Sequence, residues 1–301
     1  MTFKSCLTSM RLRTLPLSLS GVLMGIFIAA SRQPLSALAV ALLIATTVLL
    51  QILSNLSNEL GDTLQGTDND DRQGIHYSLQ DGAMTIPEMK RLIFCVAVGC
   101  ALCGTGMVWA SFGTLLALEP LLLLMLGAGS MAAAMRYTLG PSPYGYRGWG
   151  DLFVFIFFGL VAVCGAYYVC THDLTNLYTL LPGSAIGLFS MGVLNVNNIR
   201  DMKTDAATRT TVALKLGAHR ARIYQTILIC GGWLLMVLYT LLTAHGWTPW
   251  LFVLTLPLYV RHLRGVWRLD GCALDPMLPL LVISTFLFSL LAGTGMLLAT
   301  S

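Results

Sequence analysis

The sequence predicts an all-α integral membrane protein, a bundle of nine transmembrane helices with its N-terminus in the cytoplasm. Three observations lead there. Hydrophobic residues make up 56% of the 301 residues and charged residues only 11%, with mean hydropathy +0.74; a soluble domain carries about 25% charged residues. Nine apolar segments are long enough, at about 20 residues, to cross the ~30 Å hydrocarbon layer as helices. Of the 18 Lys and Arg residues, all but Arg32 fall on one side when those segments alternate. That bias places the N-terminus and the long loops inside.

The segments are 15–31, 35–57, 92–112, 114–135, 152–171, 175–198, 222–243, 247–262 and 277–299. They are too long for barrel strands, and helices are the other way to satisfy the backbone in lipid. The eighth is the shortest. Lys4, Arg11 and Arg13 precede the first segment and mark orientation. Arg72, Lys90 and Arg91 follow the second, and Arg136 and Arg147 the fourth. Six cations surround the loop after the sixth; Arg261, Arg264 and Arg268 close the eighth as a membrane-surface stop. Of the 14 acidic residues only Glu119 and Asp173 lie toward the other side. The polar loops are thus mixed in charge, and no nucleic-acid partner is expected. The eight cysteines sit mostly in or beside apolar runs and read as small packing residues.

Two polar stretches stand out. "NELGDTLQGTDNDDRQG" (Asn58–Gly74) follows the second segment. Asn55, Asn58 and Asp62 share one helix face by spacing; Gly66 then breaks the helix, and Asp68, Asp70 and Asp71 follow in a turn-prone run. "NVNNIRDMKTDAATRTTVALKLG" (Asn195–Gly217) follows the sixth, and Asn198, Asp201 and Asp205 repeat the same spacing. The repeat suggests an internal duplication of a helix-plus-acidic-motif unit. Facing carboxylate clusters repel unless a cation lies between them. Hard oxygen donors of this kind suit Mg²⁺, which favours sites shared with substrate phosphates. Lys203, Arg209 and Arg200 then have an anionic group to bind, although Arg200 can instead pair with a motif acid.

At these residues the sequence resembles the UbiA superfamily of intramembrane prenyltransferases. The first motif departs from that family's commonest form: Glu59 follows Asn58, and Gly66 replaces the last Asp, with Asp68 after it as G-x-D. That variant resembles the branch that prenylates 1,4-dihydroxy-2-naphthoate in menaquinone synthesis. "RLRTLPLSLSGVLMG" (Arg11–Gly25), "YTLGPSPYGYRGWGDLFVFIFFG" (Tyr137–Gly159) and "NNIRDMKTDAATRTTVALKLG" are similar to segments of the same branch.

The resemblance covers most of the chain and implies one domain over 1–301. It implies a multi-pass protein of the bacterial inner membrane that moves a polyprenyl group from a polyprenyl diphosphate with Mg²⁺ as cofactor. Asp62, Asp201 and Asp205 would be catalytic. Asp62, Asp68, Asp201 and Asp205 would hold metal, while Asn58, Arg72, Lys203, Arg209 and Arg200 would bind diphosphate. Tyr137, Tyr144 and Tyr146 would meet the acceptor or shield an allylic cation, as ring faces attract positive charge; the alternative is an interfacial aromatic belt. Asp70 and Asp71 read as solvated loop charges, and Arg147 and Asp151 as a pair across one turn. A transporter is the rival from another class, but the spans lack the mid-membrane ionisable residues that transporters use. A CDP-alcohol phosphotransferase would need a D-x-x-D-G-x-x-A-R pattern, which is absent. A 4-hydroxybenzoate enzyme lacks the G-x-D and YGYRGWGD features.

Overall fold

The computed structural model describes residues 2–66, 77–206, 208–243 and 245–300, and the described residues are helical throughout apart from their connecting turns. Each apolar segment forms a helix. These are α1 (Leu15–Ala30), α2 (Ala37–Leu64), α3 (Ile86–Phe112), α4 (Leu118–Arg136), α5 (Gly150–Thr171), α6 (Leu177–Arg200), α7 (Ala218–Thr243), α8 (Leu256–Arg268) and α9 (Met277–Thr300). Eight helices among the described residues are long and apolar enough to cross a membrane. The eighth expected segment differs. It begins as a 3₁₀ run, Thr248–Thr255, and becomes α-helical only at α8, whose last two turns hold three arginines. A short amphipathic helix, Phe3–Met10, precedes α1 and starts on a capping box between Thr2 and Ser5.

Local chemistry sets the helix boundaries. Thr85 caps α3 and receives Glu88 in return, so α3 starts six residues before its apolar run. Ser36 caps α2. α2 also runs seven residues past its apolar part, to Leu64, and Gly66 at φ +69° ends it as expected.

The ends of the helices alternate. Gln33 at the far end of α1 donates to the Cys170 carbonyl at the end of α5. At the opposite end, Thr138 after α4 donates to the Ser57 carbonyl of α2, Arg200 of α6 bonds Asp275 before α9, and Arg222 of α7 bonds the carbonyls of Val266 in α8 and of Leu269 just after it. The last helix packs back on the first, which closes the bundle.

Small residues let helices approach where lipid provides no hydrophobic drive. A Cβ at Gly21 or Gly25 of α1 would collide with α5 backbone carbonyls, of Phe158 and Val163 respectively. The middle of α5, Phe155–Gly165, is wound as a π-helix, and its Gly159 meets Gly183 and Gly187 of α6. Opposite these close crossings, Phe189, Phe252, Tyr259 and Phe288 form a buried aromatic cluster with Trp233.

The alternation and the charge bias predict that the motif end is cytoplasmic. In a cysteine-free background, single cysteines at Gly66 and Thr208 should react with a membrane-impermeant thiol reagent only in inside-out vesicles. Labelling of right-side-out vesicles would reverse the orientation.

Candidate active site

The site begins with the two extra turns of α2. They lift Asn58 and Asp62 beyond the apolar run, and Gly61 lets the chain after α4 lie against them: a Cβ there would overlap Thr138. Thr138 donates to the Asn58 Oδ1 at 3.3 Å. Asn55, which spacing places on the same face, is turned away. Its amide donates to the Met10 carbonyl at 2.8 Å and to Thr14 Oγ1 at 2.9 Å, tying α2 to the N-terminal segment. Glu59 also leaves the site, accepting the Leu79 N–H at 2.9 Å. Asp68, Arg72, Asp70 and Asp71 lie outside the described residues.

The second motif continues from the end of α6. The Asp205 N–H bonds the Asp201 carbonyl and the Arg209 N–H bonds the Asp205 carbonyl. Asp201 meets Arg200 in a bidentate pair, Nε to Oδ1 at 2.7 Å and Nη2 to Oδ2 at 2.6 Å. Arg200 also holds Asp275 and Asn197, so it serves as the partner of a motif acid. Asp205 pairs with Arg209 at 2.8 Å. Lys203 is exposed and makes no ion pair among the described residues.

The two motifs meet through Arg209 and the segment after α4. Arg209 lies close enough to Asp62 to feel its charge. Burial opposes its cationic form, but Asp205 and then Asp62 outweigh that and hold the guanidinium protonated beyond its ordinary range. Its Nε is buried without a hydrogen-bond partner, so a donor remains. Tyr146 donates to the Asp62 Oδ1 at 2.6 Å, and its carbonyl accepts the Thr210 N–H at 2.9 Å. One residue thus touches the end of α2 and the strand-like stretch after Arg209.

Tyr137 is the other bridge. Burial pushes its phenol up to about 12, with Arg209 opposing and Asp62, Asp151 and Asp205 adding to the rise. It stays a neutral hydroxyl at physiological pH. Tyr144 is a packing residue here: its ring stacks on Phe153 at 3.9 Å, and its hydroxyl donates to the Ala133 carbonyl.

Asp62, Asp201, Asp205 and Asp151 are only 5–6% exposed. The expected Arg147–Asp151 pair does not form. Gly148 at φ +82° turns the chain between them, Arg147 faces out, and Asp151 accepts from the Tyr224 hydroxyl at 2.9 Å. Asp151 and Asn198 instead line a small cavity with Tyr137, Arg209, Gly150 and Thr211. Sequence reading put Asn198 in the second motif but gave it no role, and it paired Asp151 with Arg147; the signal available was that Asp151 is an acid at the start of an apolar span. Arg11 and Arg13 have a structural task. Arg11 lies 3.6 Å over the Tyr77 ring, and Arg13 donates to the Tyr77 hydroxyl at 2.9 Å.

The donor set fits Mg²⁺ in kind, since every carboxylate here is a hard oxygen ligand. No three of them converge into a metal cage among the described residues. That suits an ion which takes one or two carboxylates and completes its shell with phosphate oxygens and water.

Comparison with known proteins adds three findings. Residues 18–275 match the model of the UbiA prenyltransferase family. The chain is 38% identical over 295 residues to a 1,4-dihydroxy-2-naphthoate octaprenyltransferase of Escherichia coli (strain K12), covering 97% of this chain and 95% of that one. It is 35% identical to the protein of the same description from Haemophilus influenzae, covering 96% and 94%. Its fold is similar to the apo structure of a UbiA homolog from Aeropyrum pernix K1, with a TM-score of 0.68 at 17% identity over 95% of this chain and 96% of that one.

Removing Tyr146's hydroxyl tests the bridge. Tyr146→Phe should lower turnover about 10- to 100-fold, the usual cost of losing a partner that orients a ligand carboxylate, while leaving melting unchanged. Tyr144→Phe, whose hydroxyl bonds only a backbone carbonyl, should change turnover far less. Equal effects of the two would remove Tyr146 from the site.

Proposed function

The chain belongs to the UbiA prenyltransferase family, and on that premise we propose that it transfers a polyprenyl group from a polyprenyl diphosphate to 1,4-dihydroxy-2-naphthoate. The product is demethylmenaquinol, formed with release of diphosphate and CO₂. The observation that carries this reading is the meeting of Asp62 with Asp205 and Arg209 at one end of the bundle. The near-full-length similarity to two naphthoate octaprenyltransferases supports the choice of acceptor. The protein works in the bacterial cytoplasmic membrane, with the motif end facing the cytoplasm and nine helices spanning the bilayer. A substrate with a charged head and a lipid tail explains why the carboxylates sit where apolar helices end.

Asp62, Asp201 and Asp205, with Asp68, would hold Mg²⁺, which when bound neutralises the diphosphate and eases C–O cleavage. Arg209 binds the diphosphate with its remaining N–H, and Lys203, Arg72 and Asn58 add contacts. Arg200 acts through Asp201, fixing that carboxylate's direction. The rings of Tyr137 and Tyr146 flank the allylic carbon and stabilise positive charge there by their quadrupoles. The helix walls keep water from the cation.

The naphthoate ring is electron-rich at the carbon bearing its carboxylate. As the allylic C–O bond breaks, that carbon forms the new C–C bond. The C–CO₂⁻ bond then breaks, and its electron pair restores the aromatic ring, so atoms and charge balance without a redox step. The chain's share is positioning and exclusion of water.

Purified protein with Mg²⁺, a polyprenyl diphosphate and acceptor labelled at the carboxyl carbon should give unlabelled prenylated product and labelled CO₂. Retained label, or preference for 4-hydroxybenzoate, refutes the reading. EDTA should abolish turnover and Mg²⁺ restore it. Asp62→Asn and Asp205→Asn should each cost about 10²-fold or more, as expected when charge is taken from a metal–phosphate assembly. Full activity in a folded variant of either would exclude that residue.

A further inference from the structure

α8 is amphipathic in an unusual way. Tyr259, His262 and Val266 face the bundle and are fully buried. His262 is fixed there between the Met277 carbonyl and the Gln225 amide. Arg261, Arg264 and Arg268, spaced to share the opposite face, line a groove of about 580 Å³ on the outside of the bundle. The rest of its lining is apolar: Leu256, Pro257, Val260, Leu269 and Met277, with Gly265 at the floor. The Met277 thioether packs into the space a Cβ on residue 265 would take.

The charge of this groove is unbalanced. The two acids that follow α8 are both engaged elsewhere: Asp270 with Arg222, and Asp275 with Arg200. None of the three groove arginines has an ion-pair partner among the described residues. Three guanidinium groups thus surround an apolar trough where the apolar part of α8 ends. A basic pocket at the cytoplasmic side of membrane helices suits an anionic lipid headgroup.

We propose that this groove seats one anionic glycerophospholipid of the cytoplasmic leaflet. Its phosphate lies among Arg261, Arg264 and Arg268, and an acyl chain lies along Leu256, Pro257 and Val260. The groove has no carboxylate to hold a metal–diphosphate, which separates it from the site at Asp62 and Asp205. The predominantly apolar lining favours a lipid over free phosphate. The leaflet follows from the sidedness proposed above; the binding chemistry depends neither on that sidedness nor on the reaction.

The test is native mass spectrometry of the full chain released from nanodiscs containing phosphatidylcholine and phosphatidylglycerol. Wild type should retain phosphatidylglycerol in clear preference. Arg261→Gln/Arg264→Gln/Arg268→Gln should lower that preference roughly 10- to 100-fold, given the usual contribution of each basic residue at an anionic surface. Lys90→Gln/Arg91→Gln, exposed cations at the start of α3, should not. If the triple variant fails to fold, Arg264→Gln alone should show a smaller drop. Equal retention of the two lipids by wild type, or wild-type preference in the folded triple or single variant, overturns the proposal. So does displacement of the lipid by inorganic phosphate or by farnesyl diphosphate, which would assign the groove to a free anion or to substrate. Prenyl transfer by the same samples, measured in parallel, separates failure of this proposal from failure of the reaction.

Discussion

Like charges at the wrong ends of two helices are the constraint on which this structure turns. α2 and α6 both end at the site, and a helix C-terminus carries partial negative charge that disfavours nearby carboxylates. Asp62 occupies the last turn of α2 and Asp201 caps α6. α6 brings its own remedy in Arg200, within its last turn. α2 has no basic residue in its last turn. Asp62 feels the charge of Arg209 from the other motif and accepts a short hydrogen bond from Tyr146. Arg209 and Tyr146 thereby link the first motif to the second.

The packing brings those ends together. Glycine contacts hold α5 between α1 and α6 at backbone distance, and α5 carries Asp151 at its start. Thr138 against Gly61 sets the height of the segment after α4, and that segment delivers Tyr137 and Tyr146 to the gap between the motifs. Mg²⁺ and diphosphate, on the proposed reading, enter an assembly whose acids are already matched by internal donors. The ligands must exchange those partners rather than fill bare charge.

The helices were legible because a run of about 20 apolar residues has few other fates. Their ends were less so. The last two turns of α2 and the first turns of α3 hold only isolated apolar residues, Leu60 and Met89 among them, and depend on capping and on tertiary partners. Spacing placed Asn58 and Asp62 correctly together but carried Asn55 with them. A face shared on one helix does not say which neighbour each turn meets, and Asn55 meets the N-terminal segment. The Arg147–Asp151 expectation assumed a continuous helix, which Gly148 interrupts. Asp151's partner, Tyr224, lies 73 residues away and leaves no local trace. The eighth span was the weakest apolar run, and its 3₁₀ start and arginine-rich end explain why.

The claim that the two motifs act as one unit is tested most directly by a double-mutant cycle. Binding of a non-hydrolysable prenyl thiolodiphosphate in the presence of Mg²⁺ would be measured by calorimetry for wild type, Asp62→Asn, Asp205→Asn and the double variant. Residues in one charge network couple by about 0.5–3 kcal/mol, so the double variant should lose clearly less, or clearly more, than the sum of the single losses. Additive losses would mean that Asp62 and Asp205 serve separate sites, and would contradict this account.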